Sequence, residues 1–230
     1  MSPLKISVLG ESSISRYPER CVLQVAIRSE GLEQEPVSKD VTLTSNELHR
    51  IFTDLSPKTP EGLASTDAPV TKFSNTLLRT WSKVPTDEHG KPLPRVYHAT
   101  SSFEVIFRDF AKVGEVIGKL VKIPKVEIES VDWRLTDQTK KELGSEARKL
   151  AMRDAVQKAN DFADVVDRQV VAVEITDEGH GTRSRTKQTA RLSTLRTSVS
   201  DAEGNTIDLT PEDVEFTSSV DAKFESVSEA

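Results

Sequence analysis

The chain has 230 residues, enough for one large domain or for two small, closely joined ones. Its composition, 36% hydrophobic and 30% charged, is that of a globular protein, and its formal net charge of -6 argues against a body that binds nucleic-acid phosphates. Cys21 is the only cysteine, which excludes an internal disulfide and favours a reducing compartment. The sequence opens without an export-signal pattern and has no run of about 18 apolar residues, so we expect no membrane span and a cytoplasmic location, with the nucleus also open.

The first quarter of the chain predicts two strands and a helix. Alternating apolar and polar residues predict a strand that ends at Gly10 and a second strand over residues 20–29. The second strand makes Cys21 a small buried hydrophobe and not a reactive thiol. Over residues 36–55 the apolar period becomes helical. The residues expected on the inner face of this helix are Val37, Val41, Leu48, Phe52 and Leu55.

The middle of the chain predicts a hairpin and a second helix. Residues 56–69 carry prolines, a glycine and several hydroxyl side chains, which is typical of a loop. Residues 73–84 fit a helix or a strand, and we interpret them as a strand. The turn residues 87–91 and the alternation over 95–107 then complete a hairpin. A helix is predicted over 110–121.

The strand that begins at Val126 carries a change of parity. Val126 and Ile128 share one side, whereas the apolar residues from Val131 onward share the other. A strand can keep its apolar side on one core through such a change only by inserting an extra residue. We therefore predict a β-bulge near Glu129 and Ser130.

A long helix with an alanine face follows this strand. Small side chains every fourth residue let a helix axis lie close to the surface that it covers, which we expect to be a sheet that includes the preceding strand. The alanines are Ala147, Ala151, Ala155 and Ala159, and the apolar residues beside them are Leu143, Leu150, Phe162 and Val166. A strand over 169–175 comes next, and strict alternation over 214–224 predicts a final strand with one solvated side.

This order of elements predicts an α+β fold. We expect a two-layer α/β sandwich, mainly an antiparallel sheet with helices packed on one face, within a single domain over 1–230. Two intertwined subdomains are predicted: residues 1–65 with 168–230, and residues 66–167. Residues 179–208 are predicted to form a flexible, basic loop rich in serine and threonine.

Several local patterns are shared with a known family. They are Ile6-Ser-Val-Leu-Gly-Glu11, Pro18 before Cys21-Val-Leu-Gln-Val25, Arg95 to Val105 followed by Asp109, Val131-Asp-Trp-Arg-Leu-Thr136 and Val214 to Phe224. In this order and spacing the chain resembles the SIMPL-domain family, and most closely its fungal members, which are related to exported bacterial proteins. The resemblance implies a two-layer fold in two subdomains, a tendency to form oligomers, roles in stress tolerance or signalling, and no established reaction.

The sequence offers no catalytic constellation. The four histidines are scattered, and none is closely spaced with another metal-ligand residue type. The glycines are isolated and form no phosphate loop, and the one cysteine has no obvious histidine partner. We therefore predict no catalytic residue, no cofactor and no metal site.

One basic segment stands out in an otherwise acidic chain. Residues 179–200 carry five basic side chains and no acidic one, and residues 185–194 resemble the amino-terminal tail of a core histone, departing at Leu192. The candidate partner or modification residues are Arg185, Thr186, Lys187, Gln188, Thr189, Arg191 and Ser193. A coincidental solvated loop, a histone-tail mimic and a kinase-regulated loop are the alternatives.

The leading functional hypothesis is a non-enzymatic interaction protein that forms a homo-oligomer through strand edges or helix faces. The alternatives are a chromatin-linked or modification-regulated protein that acts through the 185–194 segment, and a small-ligand binder or undetected enzyme. Protein partners are expected at residues 183–196, whereas the body of the domain is not expected to bind nucleic acid or membranes.

Overall fold

The structure is a computed structural model that describes residues 4–184 and 209–227. The described chain has eight strands and three helices, and every pairing between its strands is antiparallel. The predicted α+β fold is confirmed. In chain order the elements are β1 (Lys5–Arg16), β2 (Arg20–Gly31), α1 (Gln34–Asp54), β3 (Val70–Asn75), β4 (Arg79–Lys83), β5 (Val96–Phe107), α2 (Phe110–Leu120), β6 (Val126–Arg134), α3 (Asp137–Val165), β7 (Val170–Ser184) and β8 (Val214–Ser226).

The strands form two separate sheets. One has three strands in the order β1-β8-β7. The other has the order β3-β5-β2-β6, and β4 pairs with the same strand, β5, as β3 does. β3 pairs with the second half of β5 and β4 with the first half, so both lie on the side of β5 opposite β2.

The chain divides into two compact units. Of the described residues, the first contains 4–18, 135–184 and 212–227, and the second contains 19–134 and 209–211. These bounds differ from the predicted subdomains, because α1 belongs with the sheet of β2 and β5 whereas α3 belongs with the sheet of β1 and β8. Strand pairing decides the division: β1 pairs with β8, near the other end of the chain.

In the first unit, α3 lies on the three-stranded sheet through its alanines. The predicted stripe is confirmed, since each of these alanines is at most 1% exposed. The predicted alanines are Ala147, Ala151, Ala155 and Ala159, and Ala163, which was not predicted, extends the stripe by one turn. The expectation that α3 covers the strand before it was wrong, because α3 packs on β1, β8 and β7 whereas β6 belongs to the other sheet. Phe162 and Val166, expected beside the stripe, are exposed.

Gly10 marks the closest approach between α3 and the sheet. A Cβ atom at Gly10 would lie 2.1 Å from the carbonyl oxygen of Ala151 and 2.7 Å from the Cβ of Ala155. β1 therefore does not end at Gly10 as predicted but continues to Arg16. The glycine is needed because a helix backbone lies where a side chain would otherwise stand.

In the second unit, both helices pack against the apolar side of the five-stranded sheet. The side of β2 that carries Cys21 is buried, as predicted, and the ring of Phe52 on α1 lies 5.5 Å from that of Phe103 on β5. Asp109 caps α2, since its carboxylate accepts hydrogen bonds from the backbone N–H groups of Ala111 and Lys112. The predicted inner face of α1 is buried, except for the half-buried Leu55.

The predicted β-bulge in β6 is confirmed. Ser130 lies opposite Gln24 and Ile128 lies opposite Val25, so Glu129 is the additional residue. The bulge turns Ile128 and Val131 onto the same buried side, as the change of parity requires.

Two predicted segments have different bounds in the structure. Residues 73–84 form two strands, because Thr76 leaves the ladder and its hydroxyl accepts a hydrogen bond from the N–H of Ser102 (2.9 Å). β7 continues through residues 179–184, which had been assigned to the basic loop, because they pair with β8 as far as Ser184 opposite Val214.

Candidate interaction site

The two outer strands of the three-stranded sheet differ in how their free edges are covered. Side chains of α3 reach the edge of β1: Asp154 accepts a hydrogen bond from the N–H of Glu11 (2.8 Å), and Lys158 donates one to the carbonyl of Leu9 (2.9 Å). These bonds occupy backbone groups that a further strand would need. β1 is therefore a protected edge.

β7 forms the opposite edge, and its apolar side chains face solvent. Among the described strands it pairs with β8 alone. Val171, Val173 and Ile175 are 52%, 54% and 59% exposed. A long edge strand that presents apolar side chains and one free row of backbone groups is a template for pairing with another strand.

Two irregularities limit the length of this edge. The register against β8 shifts between Ala172 and Glu174 and again between Asp177 and Gly179. Gly179 has a positive φ of 93°, and its N–H donates a hydrogen bond to the carboxylate of Asp177 (2.9 Å). The regular part of the edge is thus residues 174–177, with one extra residue at each end.

A polar groove lies on the three-stranded sheet near the second irregularity. Its volume is about 570 Å³, and its lining includes Glu11, Ser13, Gly179, Gly181, Thr217 and Ser219. The lining hydroxyls also bind within the sheet: Ser13 donates to Glu215 (2.5 Å) and Thr217 donates to the carbonyl of Gly181 (3.4 Å). The groove is therefore an open hydrogen-bonding surface made where two glycines leave room beside β8.

The second unit has an exposed strand of its own. Every residue of β4 is exposed, and Trp81, 49% exposed, stacks on His98 of β5 with ring centroids 5.2 Å apart and an angle of 11° between the planes. His98 Nδ1 lies 3.5 Å from Glu30 of β2. These three residues lie opposite one another across three strands. The stacking holds the indole against the sheet and leaves its other side to solvent.

Cys21 has no exposed surface, and burial, followed by the charge of Asp132, raises the pKa of its thiol to about 12. A thiol with this pKa is not a nucleophile at neutral pH. The prediction of a small buried hydrophobe is confirmed.

The other histidines have ring or turn contacts. His49 packs edge-on against Phe73, and His180 stacks on Phe216. The N–H of His89 donates to Asp87 in the predicted turn. Within residues 4–184 and 209–227, no three His, Cys, Asp or Glu side chains come together in a way that could hold a metal ion.

The candidate residues predicted in the basic segment lie outside the described residues. They are Arg185, Thr186, Lys187, Gln188, Thr189, Arg191 and Ser193. The segment joins the end of β7 at Ser184 to the start of β8 at Val214. Sequence reasoning had found the strand at 169–175 but not its position at an edge, nor the exposure of β4.

Comparison with known families gives one match. The sequence model of SIMPL, described as a protein of unknown function (DUF541), matches residues 6–224. The chain belongs to the SIMPL family. No curated protein matches it. The likeness of this SIMPL chain to fungal members stays a prediction. Each helix in the described part of the chain is too short or too polar to cross a bilayer.

Proposed function

We propose that this SIMPL protein is a non-enzymatic interaction protein that self-associates through the free edge of β7. The observation that carries the proposal is the difference between the two edges of one sheet. Asp154 and Lys158 of α3 bind the backbone of β1, whereas β7 presents three half-exposed aliphatic side chains. A protein that leaves one edge open while the other is covered is suited to add a strand there.

Sedimentation equilibrium over a range of concentrations tests the proposal. The variant Ile175→Lys places a charge on the edge, and we expect it to weaken self-association because an edge lysine opposes strand pairing. Leu43→Lys is the matched control, because Leu43 of α1 is 58% exposed, almost the same as Ile175 at 59%. A wild-type protein that stays monomeric at every concentration, or equal association of the two variants, would refute the proposal.

The proposal extends to the cellular setting. The protein acts in the cytoplasm or nucleus, in a stress response or in signalling, without catalysing a reaction. The buried thiol of Cys21 supports a reducing compartment, since a lone cysteine has no internal disulfide partner. Imaging of a fluorescent fusion tests the location, and a fusion found only in an exported fraction would contradict it.

A second candidate function, binding of a small polar ligand, is supported by the groove on the three-stranded sheet. The hydroxyls at 217 and 219 and the backbone groups of the glycines at 179 and 181 offer hydrogen-bond donors and acceptors to a ligand. A thermal-shift screen against polar metabolites tests this function. The variant Gly181→Val fills the groove, so a metabolite that binds there should stabilise wild type more than this variant. A metabolite that stabilises both proteins equally binds elsewhere.

A further inference from the structure

β4 is a second open edge, and its charge is opposite to that of β7. Among the described strands, β4 pairs with β5 alone, and all five of its residues are exposed. Arg79, Trp81 and Lys83 alternate along the strand, so they share the side on which Trp81 stacks over His98. This edge has two basic side chains and no acidic one. We call it the basic edge.

The free edge of β7 is acidic over the same length. Residues 174–178 contain Glu174, Asp177 and Glu178 and no basic side chain. The side chain of Glu174 is 57% exposed, and its one ion-pair partner among the described residues is Lys223, at 2.9 Å, so its carboxylate has room for a second cation. We call residues 174–178 the acidic edge.

We propose that the basic edge of one copy pairs with the acidic edge of the next, as antiparallel strands. This inference rests on the proposed self-association and names the surface that β7 meets. In the register that sets Lys83 opposite Glu174, Trp81 lies opposite Thr176, and Arg79 meets Glu178, the extra residue at the end of the regular edge. Opposite charges directly across two strands stabilise the pair.

Charge also disfavours the symmetric alternatives. Two β4 strands paired about Trp81 place Arg79 of each copy opposite Lys83 of the other. Two β7 strands paired about Thr176 place Glu174 of each copy opposite Glu178 of the other. Like charges directly opposite are destabilising. A heterologous contact between two different edges is the arrangement that avoids both repulsions.

Charge reversal tests the pairing. One variant, Arg79→Glu with Lys83→Glu, makes both edges acidic, and the other, Glu174→Lys with Glu178→Lys, makes both edges basic. We expect each variant alone to associate about tenfold more weakly than wild type or worse, since the change replaces two attractive pairs with two repulsive ones. An equimolar mixture should regain wild-type association, because each acidic edge then meets a basic edge. All four exchanged side chains are exposed, and circular dichroism checks that both variants fold.

Tryptophan fluorescence gives a second readout. Trp133 is 4% exposed, so acrylamide quenching reports mainly on Trp81. We expect quenching to fall as the wild-type protein associates and as the two variants are mixed. Wild-type association of the Arg79→Glu, Lys83→Glu variant, or a mixture no larger than its components, overturns the pairing and leaves self-association through β7 standing. A monomeric wild type overturns both.

Discussion

Replacing Gly10 with alanine should separate α3 from its sheet. The added Cβ atom would lie 2.1 Å from the carbonyl oxygen of Ala151, whereas real Cβ atoms essentially never come within 3.0 Å of such an atom. The obstacle is helix backbone, which cannot turn aside as a long side chain can. One side of the interface must move by about 0.9 Å to bring the separation from 2.1 Å to 3.0 Å.

The cost follows from the loss of close contact along the alanine stripe. A gap of about 0.5–1 Å already forfeits a quarter to a half of the dispersion attraction between two atoms. Overpacking substitutions cost about 1–3 kcal/mol and occasionally more. We expect about 3 kcal/mol for Gly10→Ala, because a helix of 29 residues is displaced as one body.

Urea unfolding followed by far-UV circular dichroism measures this loss. Tryptophan fluorescence is unsuitable, because Trp81 and Trp133 both belong to the second unit. Hydrogen exchange of the amides in β1 and β8 then assigns the change to the first unit. A lower midpoint with faster exchange in these two strands is the expected result.

Gly144→Ala is the matched control in the same helix. Its Cβ would meet Arg148 at 3.6 Å and Phe216 at 3.8 Å, which are ordinary contacts. Alanine is favoured over glycine inside a helix by about 0.8–1.0 kcal/mol, so this variant should be more stable than wild type. If Gly10→Ala is neutral or stabilising, the helix does not lie on the strand as closely as described, and the explanation of the alanine stripe fails.

Three further predictions concern a helix cap and two titrating groups. Asp109→Ala should destabilise the second unit by about 0.5–2 kcal/mol, measured by urea unfolding with Trp133 fluorescence, whereas Asp109→Asn keeps an accepting oxygen and most of the stability. Burial raises the pKa of the Cys21 thiol from 9.0 to about 12, so between these pH values the thiol ionises in the unfolded chain but not in the folded one. The free energy of unfolding of wild type relative to Cys21→Ala should therefore fall as the pH rises from 9.0 to about 12, by at most about 1.4 kcal/mol per pH unit. A difference between the two proteins that stays constant over this range would contradict the prediction. The hydrogen bond from Lys158, and then that from the Glu11 backbone, lower the pKa of Asp154 below 3.8. The extra free energy of unfolding of wild type over Asp154→Asn should therefore be at its full value above pH 3.8 and shrink as the pH falls below it. Unfolding curves of the two proteins that stay equally far apart in acid would refute the assignment.

The parts of the fold that follow from local patterns were predictable. The alternation over 214–224 specifies β8, because one side of a strand is buried and the other is solvated. The change of parity after Ile128 located the bulge at Glu129, because a strand can shift its apolar side only by gaining a residue. Both patterns are complete within about ten residues, so no distant partner is needed to interpret them.

The parts that depend on distant pairing were not predictable. An alanine stripe shows that α3 packs closely on something, but it does not say which sheet lies beneath, and β6 was the wrong choice. Gly10 resembled the end of a strand, because a turn and a close helix both call for glycine. The α+β class was correct, while the division into units was different, since it depends on β1 pairing with β8.

The open edges could not be predicted from the sequence either, because they too depend on distant pairing. Val171, Val173 and Ile175 have the composition of an ordinary strand, and only the order of strands in the sheet shows that β7 lies at its border. Trp81 likewise suits a buried or an exposed strand. Whether a strand lies at an edge depends on which strands pair with it, and those strands come from distant parts of the chain.

The pairing of β1 with β8 has a consequence during synthesis. Lys5 lies opposite Glu225, and Arg16 lies opposite Val214, so β1 has no partner until β8 has been made. At about 5–20 residues per second, roughly 10–40 s pass before the ribosome supplies this partner. Residues 19–134 form a continuous stretch that can mature meanwhile. The nascent β1, with Ile6 and Val8 uncovered, is therefore a natural client for a chaperone until β8 is synthesised.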